Sequence, residues 1–317
     1  MSGKSPSVIS LFAGTGGSSL GYHWAGFKEL LAVDFDEHAE QSFKLNFPTV
    51  KFWRGDVSTL TGDSLRELSG LQNGSLDVLD GSPPCQGFST SGKRNVSDSR
   101  NSLTSQFIRL IHELKPRAFV MENVPGMASG KMRGLWKQIW NEFPHDDYQI
   151  KAKVCNAANY GVPQSRHRLF VIGAREFTPT FPKHHDKIIT VKEAIGHLKP
   201  TERFELKGNY GNLYHAIPYG KSAMCILNKG FESCHKLHPN KPSHTIKKTQ
   251  TKHGFATLVH YDEPRPIAIN EALVLSSFPE TWKLEGTYEQ KWARIGNAVM
   301  PKMMQAIAEE LKRGLGY

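Results

Sequence analysis

VISLFAGTGG, residues 8–17, decides the fold. Its first half, Val8–Phe12, is a short apolar run that reads as a buried strand. Gly14, Gly16 and Gly17 then turn the chain, and an amphipathic stretch runs on to Phe27. Glycines between a first strand and a first helix let backbone N–H groups come close to a ligand. Outward from this unit the alternation continues. Leu30–Val33 ends in Asp34, and a helical pattern covers Glu37–Phe47. Strand-like runs follow at Val50–Trp53, Leu76–Leu79 and Ala118–Met121, with helical stretches such as Ser102–Leu114 and Met132–Phe143. Alternation at these lengths predicts βαβ units and a mostly parallel sheet, the α/β class. Gln149–Cys155 and Arg168–Ile172, joined by a polar turn-rich stretch, are expected to pair antiparallel.

Residues 176–265 lose this rhythm and are rich in Pro, Gly, His, Asn and Lys. Regular patterning returns near Ile267 and ends in a helix over Pro301–Lys312. Charge follows the same division. The 317 residues carry a formal +10. Residues 176–260 hold 13 basic and 6 acidic side chains, a net of +7, and 9 of the 14 histidines. Most of the excess therefore sits in one middle segment, which suits a polyanionic partner. The 38% hydrophobic content excludes a disordered chain. No apolar run approaches the roughly 20 residues that span a bilayer. Four cysteines make no disulfide framework, and the N-terminus has no signal-peptide layout. The expectation is a cytoplasmic protein without a membrane partner.

The glycine turn misses a full dinucleotide signature, because Ser19 stands where the third glycine of GxGxxG would be. Asp34 suits a ribose hydroxyl pair, and Asp56, in RGDV, can accept from an adenine amino group. Neither needs a pyrophosphate, so an adenosyl ligand such as S-adenosylmethionine is indicated. GSPPCQGFS, residues 81–89, then puts Cys85 at the carboxyl end of a strand. Open α/β sheets bind ligands at that edge. Two prolines fix the backbone before the cysteine, and Thr90–Arg94 supplies a polar, basic loop after it. Accessible and positively surrounded thiols are the reactive ones. Glu122 and Asn123 end the next strand, and Arg166 and Arg168 precede the strand starting near Leu169, where alternation would put both on one side.

In order and spacing, FAGTGG, VDFD, GDV, GSPPCQGFS, ENV, QSRHR and RIGNAVMP (294–301) resemble the DNA (cytosine-5)-methyltransferase family. The resemblance covers about 175 N-terminal residues and the last 55. It implies a Rossmann-like S-adenosylmethionine-dependent methyltransferase fold plus a small, irregular target-recognition domain. The catalytic domain would be discontinuous, 1–175 and 262–317, with recognition in 176–261. Cys85 would be the nucleophile toward cytosine C6. Glu122 would bond N3 and the exocyclic amine, Arg168 the O2 carbonyl with Arg166 nearby, and Asn123 would fix Cys85 and its turn. Phe12 and Phe35 would face the adenosyl group, Asp34 the ribose and Asp56 the adenine. Ala13, Gly14, Thr15, Gly16, Gly17, Val57, Pro84, Asn297 and Ala298 would complete the pocket. Ser89, Ser91, Lys93 and Arg94 would contact DNA phosphates. The implied partner is double-stranded DNA, for a monomeric bacterial or phage enzyme whose product is S-adenosylhomocysteine; it would be either the functional partner of a restriction endonuclease or an orphan methylase.

Two positions depart from the family pattern. Ser10 stands where an acid commonly begins the first motif, and Asn270 precedes Glu271 where an arginine is usual. Three other readings are weaker. A tRNA cytosine-5 methyltransferase usually carries Pro-Phe-Thr where Gly87-Phe88-Ser89 stands here. Amino-methyltransferases place an aromatic where Cys85 stands. A non-enzymatic DNA-binding module has no need of Cys85, Glu122 and Arg168 at one sheet edge. Cys225, Cys234, His235 and His238 lack a familiar zinc spacing, so no metal is expected.

Overall fold

The computed structural model describes residues 5–71, 76–84, 101–227, 234–252 and 258–317. Its contacts divide the chain into two compact units. The first comprises Met1–Asn156, His167–Lys183 and Met303–Tyr317, and the second Ala157–Arg166 and His184–Lys302. The second unit overlaps the 176–261 span expected for recognition, but it begins at His184 there and also takes in Ala157–Arg166 and 262–302.

A seven-stranded sheet forms the first unit. Its strands are β1 (Ser7–Leu11), β2 (Lys28–Asp34), β3 (Phe52–Arg54), β4 (Val78–Gly81), β5 (Ala118–Asn123), β6 (Gln149–Asn156) and β7 (His167–Ala174). They lie in the order β3-β2-β1-β4-β5-β7-β6. The first five are parallel. As expected, β6 and β7 pair antiparallel; β7 also runs antiparallel to β5. Helices α1 (Gly17–Trp24), α2 (Glu37–Asn46), α3 (Gly62–Ser69), α4 (Asn101–Leu114) and α5 (Arg133–Glu142) make the connections.

The central strands are buried, as continuous apolar runs in a helix-covered parallel sheet must be. Local chemistry fixes the helix starts. Asp36 caps α2 by accepting from the Ala39 amide, and Thr61 and Ser64 form a capping box on α3. Phe107 and Ile111 of α4 join Leu79, Phe119, Met121 and Ile139 in one core cluster. Gly81 is required there, because a Cβ at that position would meet the Phe107 ring at 2.5 Å. It lets α4 lie flat on the strand that leads into the Pro83–Pro84 turn. Between β1 and β4 the strand order reverses, which is where sheets of this kind bind ligands.

The second unit holds only short elements, as its irregular sequence implies. They are α6 (Val191–Ile195), α7 (Asn209–Leu213), α8 (Met224–Leu227), β8 (His235–Lys236), β9 (Leu258–Val259), α9 (Ile269–Leu275) and α10 (Tyr288–Asn297). Leu206, Tyr214, Ile217, Ala223, Cys234 and Val259 form a small core. Beside it the Lys236 ammonium lies 4.3 Å from the Tyr214 ring centre and 5.0 Å from that of Tyr219. The final helix, α11 (Pro301–Gly314), starts at the end of this unit and belongs to the first from Met303 onward.

Candidate active site

The carboxyl ends of β1 and β2 are tied together by one side chain. Asp34 Oδ2 accepts from the Gly14 amide at 2.8 Å, and Oδ1 accepts from the Asp36 amide at 3.0 Å. This holds the glycine turn open. Phe12, Gly14 and Gly16 all take positive φ, at 57°, 56° and 91°. Gly16 tolerates no side chain, since a Cβ would fall 2.7 Å from the Phe47 ring. Thr15 is buried, and Gly17 begins α1. Phe35, directly after Asp34, is 71% exposed, so an aromatic face stands in solvent at the sheet edge. Asp56 caps a short 3-10 turn by accepting from the Ser58 amide at 2.9 Å, while Val57 points into the core.

At the end of β5 the geometry is tighter. Arg168 Nε lies 2.8 Å from Glu122 Oε1, and both side chains are largely enclosed. The register explains the meeting. Glu122 pairs with Phe170, so Arg168, two residues along β7, is its diagonal neighbour on the same face. Asn123 donates from Nδ2 to the Pro83 carbonyl at 3.2 Å, and its Oδ1 accepts from the Val124 amide. The end of β5 is thereby stitched to the turn after β4. Pro84 is the last described residue of that turn, and Cys85, Ser89, Ser91, Lys93 and Arg94 lie outside the described residues.

Arg166 is placed differently from Arg168. The strand begins at His167, so strand alternation does not relate the two arginines. Arg166 is fully enclosed in the second unit, where it donates to the carbonyls of Ile246 (2.9 Å), Gly296 (2.7 Å) and Ala298 (3.2 Å). It thus fixes the end of α10 from which Asn297 projects. Of the two departures from the family pattern, the one at Asn270 has a compensating contact. Glu271 is fully buried and takes a two-pronged contact from Arg265 at 2.8 and 2.7 Å. The guanidinium arrives from six residues earlier. Asn270 instead bonds the Lys199 carbonyl and Glu280. At the other position, Ser10 of β1 stands in register with Asp80 of β4, a buried acid that sequence reasoning passed over. The available signal was an acid inside a run otherwise fit for a buried strand.

Among the described residues no three His, Cys, Asp or Glu side chains are grouped to hold a metal ion. Cys234 is buried in the small core, and that burial pushes its thiol up to about 11. Likewise, among those residues no helix is long and apolar enough to cross a membrane.

A sheet of this order, with a glycine turn at its reversal and an acid–arginine pair at a neighbouring strand end, has the layout of the Rossmann-like methyltransferase fold. The chain belongs to the C-5 cytosine-specific DNA methylase family, whose model matches residues 7–313. It is 33% identical to the type II methyltransferase M.XorII of Xanthomonas oryzae pv. oryzae, across 98% of this chain and 85% of that protein. To the type II methyltransferase M1.HphI of Haemophilus parahaemolyticus it is 35% identical, across 95% of this chain and 85% of the relative. Among solved structures, a DNA modification methyltransferase encoded within an E. coli prophage superposes with a TM-score of 0.83 at 27% identity, covering 99% of this chain and 100% of that one. Spodoptera frugiperda DNMT2 shares the fold at a TM-score of 0.69 and 20% identity, covering 97% and 99% of the two chains.

Proposed function

We propose that this DNA (cytosine-5-)-methyltransferase works by covalent catalysis from Cys85 on a cytosine swung out of the duplex. Cytosine C5 is a poor nucleophile while the ring is aromatic. Addition of a thiolate to C6 makes C5 electron-rich, and cysteine is nucleophilic even with only a few per cent ionised at pH 7. S-adenosylmethionine, when bound, supplies the methyl group from its sulfonium. Loss of the C5 proton to a base then expels the thiolate and restores the ring. Glu122 bonds N3 and the exocyclic amine, and Arg168 bonds O2, so each offsets charge that develops during attack. Asn123 holds the turn from which Cys85 departs, and Arg166 acts at one remove, by fixing the segment that carries Asn297 and Ala298.

The observation that carries this reading is the Arg168–Glu122 ion pair at the end of β5. Each member orients the other, so substrate binding meets a prearranged donor and acceptor. The residues of the first unit also fit the cofactor. Asp34, held by the Gly14 and Asp36 amides, brings a carboxylate to the glycine turn, where it suits a ribose hydroxyl pair. The exposed ring of Phe35 offers a face to adenine, and Asp56 an acceptor for its amine. Phe12, Ala13, Thr15 and Pro84, with the backbone at Val57, would complete that pocket. Flipping the base costs a few kcal/mol. Ser89, Ser91, Lys93 and Arg94 meet the flanking phosphates, and the basic span 176–261 contributes backbone contacts and base readout. The likeness to type II methyltransferases supports a role as the modification partner of a restriction endonuclease.

Cys85→Ser should lose methyl transfer while keeping cofactor binding. Duplexes carrying 5-fluorocytosine should trap an adduct at Cys85, because elimination needs a C5 proton. Bisulfite sequencing of a plasmid from expressing cells should reveal methylated cytosines in one short sequence. Full activity of Cys85→Ser, or a plasmid without 5-methylcytosine, overturns the reading.

A further inference from the structure

The third strand does more than close one margin of the sheet. Trp53 of β3 stands in register with Val33 of β2. Its side chain packs, half-buried, against the core cluster that holds Val33, Val57 and Leu60. Two residues on, Gly55 falls on the same face, as strand alternation requires. The indole covers it. A Cβ at Gly55 would collide with the far edge of the ring, with Cζ2 and Cζ3 both at 2.7 Å. The neighbouring Arg54 is held on the opposite face, with Nε 3.0 Å from Glu40 of α2.

Gly55 sits between two of the residues assigned to the cofactor. Its amide donates to the Asp34 carbonyl at 3.0 Å, and Asp56 follows it directly. Asp34 therefore receives the glycine turn on its carboxylate and the 55–56 turn on its carbonyl. The acceptors assigned to ribose and to adenine are joined through a single glycine. Glycine has the greatest backbone freedom of any residue, and no side chain of its own restrains it. The ring lying on Gly55 supplies that restraint. None of the roles argued above uses Trp53.

We propose that Trp53 is a positioning residue for S-adenosylmethionine, acting through Gly55 to hold Asp56 at a fixed place relative to Asp34. This rests on the cofactor assigned above. A site already in its bound shape loses less conformational entropy when the ligand arrives. The restraint acts at the adenosyl end of the ligand, so its effect falls on affinity and not on the methyl-transfer step.

Calorimetry with S-adenosylmethionine, and methyl transfer to saturating plasmid DNA, test this. Trp53→Ala should raise the Kd and KM for S-adenosylmethionine about tenfold, with kcat within about twofold. Trp53→Phe keeps an aromatic ring and should stay within about threefold of the unaltered chain. Gly55→Ala pushes the ring away and should weaken binding as Trp53→Ala does. Combined, the two substitutions should be no worse than the more harmful one, because both break the same contact. Additive losses, an unchanged KM in Trp53→Ala, or a fall in kcat alone would each overturn the proposal. On the unaltered chain labelled with 5-fluorotryptophan, the Trp53 fluorine resonance, identified by its loss in Trp53→Phe, should shift on saturation with S-adenosylhomocysteine. A resonance that stays fixed while calorimetry records binding overturns the proposal even if Trp53→Ala fails to fold. If the unaltered chain binds neither ligand, the cofactor assignment itself falls, and this proposal with it.

Discussion

Arg168 reaches Glu122 across two antiparallel strands through a register that makes them diagonal neighbours, with Nε 2.8 Å from Oε1. The two side chains proposed to hold opposite edges of one cytosine therefore hold each other when no base is present. Glu122→Gln keeps shape and loses the charge. It should lower kcat by roughly 10²–10⁴, the usual range for a positioned acid or base, while the Kd for cofactor stays within about twofold. Tritiated methyl transfer and calorimetry measure the two quantities. A variant that loses cofactor binding equally would assign Glu122 to the wrong ligand.

Asn123→Ala removes the contact that ties β5 to the Pro83 carbonyl. A buried acceptor left without its donor costs about 1–3 kcal/mol. Urea denaturation should show that loss, and the initial rate should fall by more than the stability change predicts, because the loosened turn carries Cys85. Aspartate, which cannot donate when ionised, should not rescue it.

Glu29 gives stability a pH dependence of known sign. Its carboxyl rises from the usual 4.5 to about 7 on folding. The folded chain then binds that proton more tightly than the unfolded chain, so this contribution declines as pH rises from about 4.5 to about 7. Glu29→Gln abolishes the decline. The Tm of the variant minus that of the unaltered chain should be more positive at pH 8 than at pH 5. A constant difference across the range would contradict the raised carboxyl.

Arg265 and Glu271 form a buried ion pair in the second unit, with His260 Nε2 3.9 Å from the same carboxylate. Glu271→Ala leaves an enclosed guanidinium without its partner and should cost about 3–5 kcal/mol. Replacing both residues with apolar ones of similar volume should cost much less. A double-mutant cycle in guanidinium chloride separates the two results.

Much of this architecture was legible in the chain. Parallel strands announced themselves as apolar runs ending in Asp34, Asp80–Gly81 and Glu122–Asn123, because a strand buried on both faces leaves its polar residues at the ends. The β6–β7 hairpin followed from run length and the turn-rich stretch between. What escaped was long-range and polar. Nothing local to Arg166 says that its guanidinium is held by carbonyls 80 and more residues away, and alternation does not apply to it, because the strand, expected near Leu169, starts at His167 and leaves Arg166 outside. Asp80 and Glu29 drew no reading from the sequence; the sheet register sets them on either side of β1. The replacement for an arginine before Glu271 came from Arg265, a pairing set by the turn preceding α9 and not by helical spacing.

The sheet ends differently on its two sides. β3, at one margin, has only three residues, too short a template for another strand. β6, at the other, has eight, and its outer residues Lys151, Ala152, Lys153 and Val154 are exposed. Lysines on a long free margin discourage a second chain from adding to it, because like charges would be forced together. The lysine pair therefore serves colloidal solubility, apart from catalysis. Exchanging Lys151 and Lys153 for threonine would leave a methylase with its chemistry intact and a greater tendency to precipitate at the high concentrations of an overexpressing cell.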